Sequence, residues 1–246
     1  MYFTDSHIHL QDYAATEVKN VVAEAHKANV REFVVPSSAP NDWQKIVALT
    51  KNMPGVIGAI GVHPWCVEKS EPSALDLMEK ILKKNHKLWV GECGIDRIKN
   101  PDTEKQHEFF LRQIELADKY NRAVIIHAVK ADEEIARYFE ILPKRTIFHS
   151  FTGSIEWGKK IQSAGFYLGL NFSFFKKENY VEMLQQLDLN RILLETDAPY
   201  QQTKGYVSNV PKNLPVLISG MAAVGKLSEI EVSAIVAQNW KNFNQT

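Results

Sequence analysis

The chain has 246 residues, a length that suits one large domain, since a single α/β barrel typically needs about 250. Lys and Arg together number 29, as do Asp and Glu, so no net charge draws the protein to nucleic acid or to an anionic membrane. Two cysteines do not make a disulfide framework, and we find no signal-peptide pattern and no membrane-length apolar run. We therefore expect a cytoplasmic protein without a membrane partner.

Short β-rich segments alternate with helical patterns along the chain. The predicted strands are 2–9, 32–36, 56–62, 88–92, 123–127, 145–149, 166–171 and 191–196. The intervening helices are predicted at 16–29, 40–52, 73–84, 103–120, 132–142, 153–164 and 178–187, and a long loop through Gly205 leads to two C-terminal helices. Two helices begin with a capping-box pattern, Thr103-x-x-Gln106 and Ser228-x-x-Glu231.

Strict alternation of strand and helix predicts a parallel sheet, and eight such units predict closure into a (β/α)8 TIM barrel. The competing fold is an open doubly wound sheet, which usually has a glycine-rich phosphate-binding loop after its first strand. The segment His7-Ile8-His9 stands in that place instead. We see no linker or internal repeat, so we expect residues 1–246 to form a single α/β domain.

The first strand ends in two histidines, His7 and His9, at spacing i, i+2. On an extended strand both side chains point the same way, because side chains alternate faces with a period of two. Imidazole nitrogens that converge at one strand end are a good half-site for a divalent metal ion. The pattern is weak by itself, so its meaning depends on what the other strand ends carry.

Four later strand ends each carry a further potential ligand: Glu92, His127, His149 and Asp197. The active site of a (β/α)8 barrel lies at the carboxyl ends of its strands, so all six side chains should converge. A single histidine at a strand end is more often an ordinary polar residue, but six groups at five strand ends are hard to obtain by chance. Glu92 and Asp197 also follow apolar segments, where an unpaired carboxylate would be costly to bury.

The ligand types predict a hydrolase. Four histidines and two carboxylates are too many for one tetrahedral zinc, but they fit two divalent ions, Mg, Mn or Zn, about 3.5–4 Å apart. Such a pair lowers the pKa of a bridging water and takes up negative charge on an attacked phosphoryl or carbonyl oxygen. Asp197 is the best candidate for the general base, since a carboxylate beside the water can accept its proton.

Three further residues lie near strand ends, and two of them, His63 and Asp96, have two interpretations. His63, in the segment Gly-Val-His-Pro-Trp, either positions substrate or supports its loop, and we assign it to substrate binding. Asp96 either orients a metal ligand or caps a turn. Cys93 should point away from its neighbour Glu92 and is expected to be a packed thiol.

At these residues the sequence resembles the TatD family of metal-dependent deoxyribonucleases, within the amidohydrolase-like barrels. The matching motifs are DSHIHL (5–10), GVHP (61–64), GECGID (91–96), VIIHA (124–128), FHSFTGS (148–154) and LLETDAPY (193–200), in order along essentially the whole chain. The resemblance implies a metallo-dependent hydrolase barrel that cleaves DNA phosphodiester bonds with a metal-activated water. The implied metal ligands are His7, His9, Glu92, His127, His149 and Asp197, with Glu92 bridging two ions and thereby serving catalysis.

The chain departs from this family pattern at positions that are usually basic. Val129 stands where the family usually has arginine, and Ser208 stands before the Asn-x-Pro motif, where a basic residue is usual. Because arginine is suited to bidentate phosphate binding, these differences favour the alternative substrate, a small ester, amide or phosphoester. Basic residues on loops near the strand ends could substitute: Arg97, Lys99, Lys130, Lys176, Lys177 and Lys204.

A third hypothesis, a non-catalytic binding protein on the same fold, fits less well. Clustered carboxylates that served no purpose would only repel one another. DNA therefore stays the leading expectation as substrate, and nothing in the sequence indicates an obligate protein partner.

Overall fold

The structure is a computed structural model that describes residues 2–99, 103–201, 208–225 and 227–245. The predicted loop residues Lys204 and Gly205 lie outside the described residues. Within these ranges one sheet holds eight strands in the order β1 to β8, and the pairs β1–β2, β3–β4, β4–β5, β5–β6 and β7–β8 are parallel. The strands are β1 (Phe3–Asp5), β2 (Val30–Pro36), β3 (Val56–Ile60), β4 (Trp89–Asp96), β5 (Val124–Val129), β6 (Thr146–Phe148), β7 (Tyr167–Leu170) and β8 (Ile192–Leu194).

Helices alternate with these strands, which confirms the predicted (β/α)8 class. They are α1 (Ala15–Lys27), α2 (Trp43–Asn52), α3 (Ser73–Lys84), α4 (Glu104–Lys119), α5 (Asp132–Ala136), α6 (Ile155–Ser163), α7 (Tyr180–Gln186), α8 (Leu214–Gly225) and α9 (Glu229–Gln245). Among the described residues, none of these helices combines the length and the apolar character that a membrane span requires.

The chain divides into two compact units. The terminal unit comprises Met1–Val34 and Ser150–Thr246, and the central unit comprises Val35–His149. In the terminal unit Ile8, Leu168 and Phe243 are fully buried. In the central unit β4 is buried along its whole length, and α4 covers it with Phe109, Phe110 and Ile114. The expectation of a single domain stays a prediction.

Two glutamines of α4 bond to buried backbone, and the first of them shows why one predicted capping box is wrong. The Thr103 side chain does not cap α4, because Gln106 reaches β4 instead, where it accepts from Asp96 N at 2.8 Å and donates to Asp96 O. Two turns later, Gln113 accepts from Val62 N at 2.7 Å and donates to Val62 O. Each buried carboxamide thus satisfies a backbone donor and a backbone acceptor near the end of a strand.

The second predicted capping box is confirmed at the start of α9. Ser228 Oγ accepts from Glu231 N, and the Glu231 carboxylate accepts from Ser228 N at 2.8 Å. Ser228 and Glu231 are both exposed, so no buried backbone group competes for their side chains. The difference from Thr103-x-x-Gln106 is therefore one of burial, since the two patterns are equivalent in sequence.

Several predicted elements are shorter than expected, and β1 and α5 are shortened most. β1 ends at Asp5 rather than His9, although residues 6–9 still bond to neighbouring backbone, for example Ile8 N to Val34 O at 2.9 Å. α5 ends at Ala136, and the apolar pattern that extended the prediction to Leu142 continues as tight turns with i to i+3 hydrogen bonds. The spacing of apolar residues in a sequence does not distinguish consecutive tight turns from an α-helix.

The role of Gln113 can be measured. We expect Gln113→Met, which keeps the side-chain volume but removes both polar atoms, to lower the free energy of unfolding by about 1–3 kcal/mol. The reason is that Val62 N–H and O lose their partner while remaining buried. Urea denaturation measures the change, and Gln44→Met on the exposed face of α2 is the matched control. Equal stability of the two variants would contradict this role.

Candidate functional site

The terminal unit holds a cluster of His7, His9 and Asp197, here called the histidine-pair cluster. The two Nε2 atoms of His7 and His9 lie 3.1 Å apart. Asp197 Oδ1 lies 3.3 Å from His9 Nε2 and 3.7 Å from His7 Nε2. All three side chains are buried, and their potential ligand atoms face one another. The i, i+2 spacing does bring both imidazoles to one point, although β1 has already ended.

Asp5 secures the backbone that presents these three residues. Its carboxylate accepts from Thr196 N at 2.9 Å and from Thr196 Oγ1 at 2.6 Å, which ties the start of the chain to the segment after β8. Burial raises the pKa of Asp5 to about 8, although the hydrogen bonds from Thr196 favour the charged carboxylate. Asp197, with φ 56°, lies in the left-handed region and donates its N–H to His7 O. The strained residue is thus held by backbone pairing next to the cluster.

Gln11 determines which nitrogen His9 presents to the cluster. The Gln11 carboxamide lies 2.9 Å from His9 Nδ1, and both residues are buried. The amide Nε2 is the atom that faces the ring, so it donates to Nδ1, and the proton of the neutral ring lies on Nε2. His9 then presents an N–H from Nε2 to Asp197 Oδ1, 3.3 Å away.

Glu195 is a buried carboxylate of the terminal unit that the sequence reasoning missed. Its Oε1 accepts from Ser150 N at 2.6 Å, and Asn171 Nδ2 lies 3.4 Å away. Gly169 permits this position, because a Cβ there would come within 2.3 Å of Glu195 Oε2. The signal was present in the sequence: Glu195 follows the apolar run of β8, the same feature that identified Asp197.

The central unit holds a second cluster of His63, Glu92, His127 and His149, here called the glutamate cluster. Glu92 Oε1 lies 2.9 Å from His127 Nδ1, 3.3 Å from His149 Nε2 and 3.4 Å from His63 Nε2. Glu92 is only 2% exposed, so its charge faces these imidazoles rather than solvent. Imidazole nitrogens around one buried carboxylate oxygen are the kinds of ligand atom that bind a divalent cation.

Irregular backbone in β4 aims Glu92 into this cluster. The register against β5 shifts between Val90 and Cys93, which places one extra residue on β4 as in a β-bulge. Gly94, with φ 144°, then passes so close to β5 that a Cβ would come within 1.9 Å of His127 O. Only glycine fits there, and the close approach brings β4 and His127 together.

His63 and His127 use different nitrogens toward Glu92. His63 Nδ1 accepts from Trp65 N at 3.0 Å, so the proton of the neutral ring is on Nε2, which becomes a donor. Burial lowers the pKa of His63 to about 4, even though the nearby Glu92 charge opposes this. His127 donates from Nε2 to Asp96 Oδ2 at 3.1 Å, which leaves Nδ1 to face Glu92. His127 therefore offers a lone pair to a cation, whereas His63 offers a hydrogen bond.

Asp96 fulfils both roles that the sequence left open. Besides His127, its Oδ2 accepts from Trp65 Nε1 at 2.6 Å, and its Oδ1 accepts from Ile98 N and Lys99 N. Burial opposes the charged carboxylate, but these hydrogen bonds outweigh it and hold the pKa of Asp96 well below its usual range. One side chain thus orients a potential metal ligand and also caps the following turn.

The structure brings the predicted residues together within each unit. His7, His9 and Asp197 meet in the terminal unit, and Glu92, His127 and His149 meet in the central unit. His63 lies against Glu92, and its substrate-binding role stays a prediction, as do the ligand roles of the other six. Cys93 is fully buried with Sγ 3.7 Å from Ile125 O, as expected of a packed thiol.

Two of the basic residues considered for phosphate binding have partners on the protein. Arg97 Nη1 lies 3.5 Å from the Glu134 carboxylate, and Lys177 donates to Gly153 O at 3.0 Å. Lys99 is also exposed, and its Nζ lies 5.4 Å from the centroid of the Trp65 ring.

Comparison with known proteins identifies the family. The family model described as "TatD related DNase" matches residues 4–245. The chain belongs to this family. An uncharacterized metal-dependent hydrolase of Methanocaldococcus jannaschii is 25% identical over 98% of this chain and 96% of that protein. The mouse protein named "Putative deoxyribonuclease TATDN3" is 28% identical over 96% of this chain and 85% of its own length.

A solved structure supports the same fold. The TatD homologue YjjV of Escherichia coli K12 matches with a TM-score of 0.90 and 24% identity, over 96% of this chain and 95% of that one. The family resemblance read from the sequence is thus confirmed, and with it the coarse class, a metal-dependent hydrolase.

The glutamate cluster makes a direct prediction about metal binding. We expect Glu92→Gln to weaken the binding of Mn²⁺ to the central unit's cluster by more than about 100-fold, since loss of outer-shell partners alone costs about 10–100-fold. Isothermal titration calorimetry on the full chain measures the affinity and the number of sites. Glu108→Gln, an exposed change on α4, should bind like the wild type. Unchanged affinity in Glu92→Gln would remove Glu92 from the ligand set.

Proposed function

We propose that this protein is a divalent-metal-dependent phosphodiesterase that hydrolyses DNA. One observation carries the proposal: the Glu92 carboxylate is buried among His63, His127 and His149, with Oε1 within 3.4 Å of a nitrogen of each ring. Burying the Glu92 carboxylate costs free energy unless its negative charge is compensated, and a bound cation would compensate it. In the proposed enzyme, each of the two clusters holds one divalent ion.

The residues present fit a metal ion in both clusters. In the histidine-pair cluster, His7, His9 and Asp197 each offer one ligand atom, and these atoms lie within 4.8 Å of one another. In the glutamate cluster the ligand atoms of His63, Glu92 and His127 lie equally close together. Because His63 presents an N–H, the proposed ligands are Glu92, His127 and His149, whose Nε2 lies 3.3 Å from Glu92 Oε1. Nitrogen and carboxylate donors of this kind suit Zn or Mn, and the carboxylates also suit Mg.

A divalent ion bound in such a site lowers the pKa of a coordinated water, which supplies a nucleophile at neutral pH. The chain's own residues then determine the course of the reaction. In the proposal Asp197 accepts the proton of a water in the histidine-pair cluster, and the position of its Oδ1, 3.3 Å from His9 Nε2, supports this role. His63 presents an N–H from Nε2 in the glutamate cluster, where it can donate to a substrate oxygen.

DNA as the substrate is supported by the family description and by the name of the mouse relative. The second candidate, hydrolysis of a small ester, amide or phosphoester, is supported by the zero net charge and by Val129, where a basic residue was expected. Neutral composition does not exclude a nuclease, because the proposed ions would supply local positive charge for one phosphate.

The proposed general base provides the test of mechanism. We expect Asp197→Asn to lower kcat for DNA hydrolysis by at least about 100-fold, because the amide cannot accept the proton. Thermal unfolding of the variant should stay close to that of the wild type, which separates loss of chemistry from loss of fold. Asp76→Asn, an exposed change on α3, is the control. Full activity of Asp197→Asn would exclude this residue as the base.

The substrate class is decided by assays of the wild type. Single-stranded and duplex DNA should be offered with Mg²⁺, Mn²⁺ and Zn²⁺ in turn, beside a small phosphodiester and a small carboxylic ester. The proposal expects release of nucleotides from DNA with at least one ion. Turnover of a small ester without cleavage of DNA under any ion would replace the proposal with the second candidate.

A further inference from the structure

Trp65 combines exposure with a fixed orientation. Its side chain is 53% exposed, whereas Trp43, Trp89, Trp157 and Trp240 are all buried. Despite this exposure, its indole N–H donates to Asp96 Oδ2 at 2.6 Å, and its backbone N–H donates to His63 Nδ1 at 3.0 Å. Both hydrogen bonds are to residues of the candidate site, so the ring is held there although it contributes little to the core.

The position of the ring is beside the glutamate cluster. The centroid of the Trp65 ring lies 4.8 Å from that of His63 and 5.9 Å from that of His127, both in edge-to-face geometry. Lys99 Nζ lies 5.4 Å from the same centroid. Lys99 and Trp65 are both exposed, so the ring surface next to the ammonium can be reached by a partner that arrives from solvent.

We propose that Trp65 is a stacking platform for an unpaired nucleobase of the substrate. The inference rests on the proposed function and adds a substrate requirement to it. A base in a duplex already has both faces stacked, whereas a base at a frayed end or in a single strand offers one face to an aromatic ring. A nucleotide stacked on Trp65 would have its phosphate close to the cluster, since His63 and His127 adjoin the ring.

Asp96 makes this platform part of the site rather than a separate surface. The same carboxylate accepts from Trp65 Nε1 and from His127 Nε2, at 2.6 and 3.1 Å. The indole plane and the imidazole are therefore fixed with respect to each other through one group. A base on Trp65 would accordingly be held at a set distance from a proposed metal ligand, which selects the phosphate to be cleaved.

The test measures binding without cleavage. In EDTA, fluorescence anisotropy gives the Kd of the full chain for a short single-stranded oligonucleotide and for the same oligonucleotide with abasic residues at its ends. We expect Trp65→Leu to raise the Kd of the normal oligonucleotide about 10-fold and to leave that of the abasic one unchanged. Trp65→Phe keeps an aromatic face and should retain most of the affinity. Ile98→Ala, an exposed change in the neighbouring turn, should bind like the wild type.

The outcomes separate this inference from the proposed function. Equal Kd values for wild type and Trp65→Leu would overturn the platform while leaving DNA hydrolysis in place. Equal weakening on normal and abasic oligonucleotides would also overturn it, because it would indicate a structural role for Trp65. If the wild type neither binds nor cleaves DNA with any ion, the proposed function fails together with the platform.

Discussion

The buried negative charge of Glu92 is the constraint on which the central unit depends. A carboxylate that is 2% exposed must be surrounded by donors or cations, and here His63, His127 and His149 approach the same oxygen. The bulge in β4 and the close passage of Gly94 are the backbone adjustments that permit this approach. The terminal unit meets the same constraint separately, with Asp197 beside two imidazoles and Asp5 anchored by Thr196.

Much of the fold and of the candidate site follows from local patterns. Strand and helix alternation predicted the (β/α)8 class, because apolar periodicity reports which face each segment buries. The i, i+2 spacing of His7 and His9 predicted their convergence, because an extended backbone repeats every two residues. The carboxylates Glu92 and Asp197 were recognised because each follows an apolar segment of the sequence.

Other features depend on contacts that no local pattern contains. Thr103-x-x-Gln106 and Ser228-x-x-Glu231 are equivalent in sequence, yet only the exposed one forms a capping box, because Gln106 instead bonds to the buried backbone of Asp96 on β4. The tautomer of His127 is set by Asp96, and the orientation of Trp65 is set by the same group. Glu195 was overlooked although its signal was present, since Asp197 two residues later accounted for the pattern.

The two glutamines of α4 place a length requirement on that helix. Gln106 and Gln113 are seven residues apart, so both carboxamides emerge on nearly the same side of the helix, one reaching Asp96 and the other Val62. An insertion of a single residue between them would rotate one amide by about 100° around the axis, away from its backbone partner. The seven-residue spacing of these two side chains therefore fixes the length of this part of α4. Insertions and deletions should be tolerated far better in the surrounding loops than between the two glutamines.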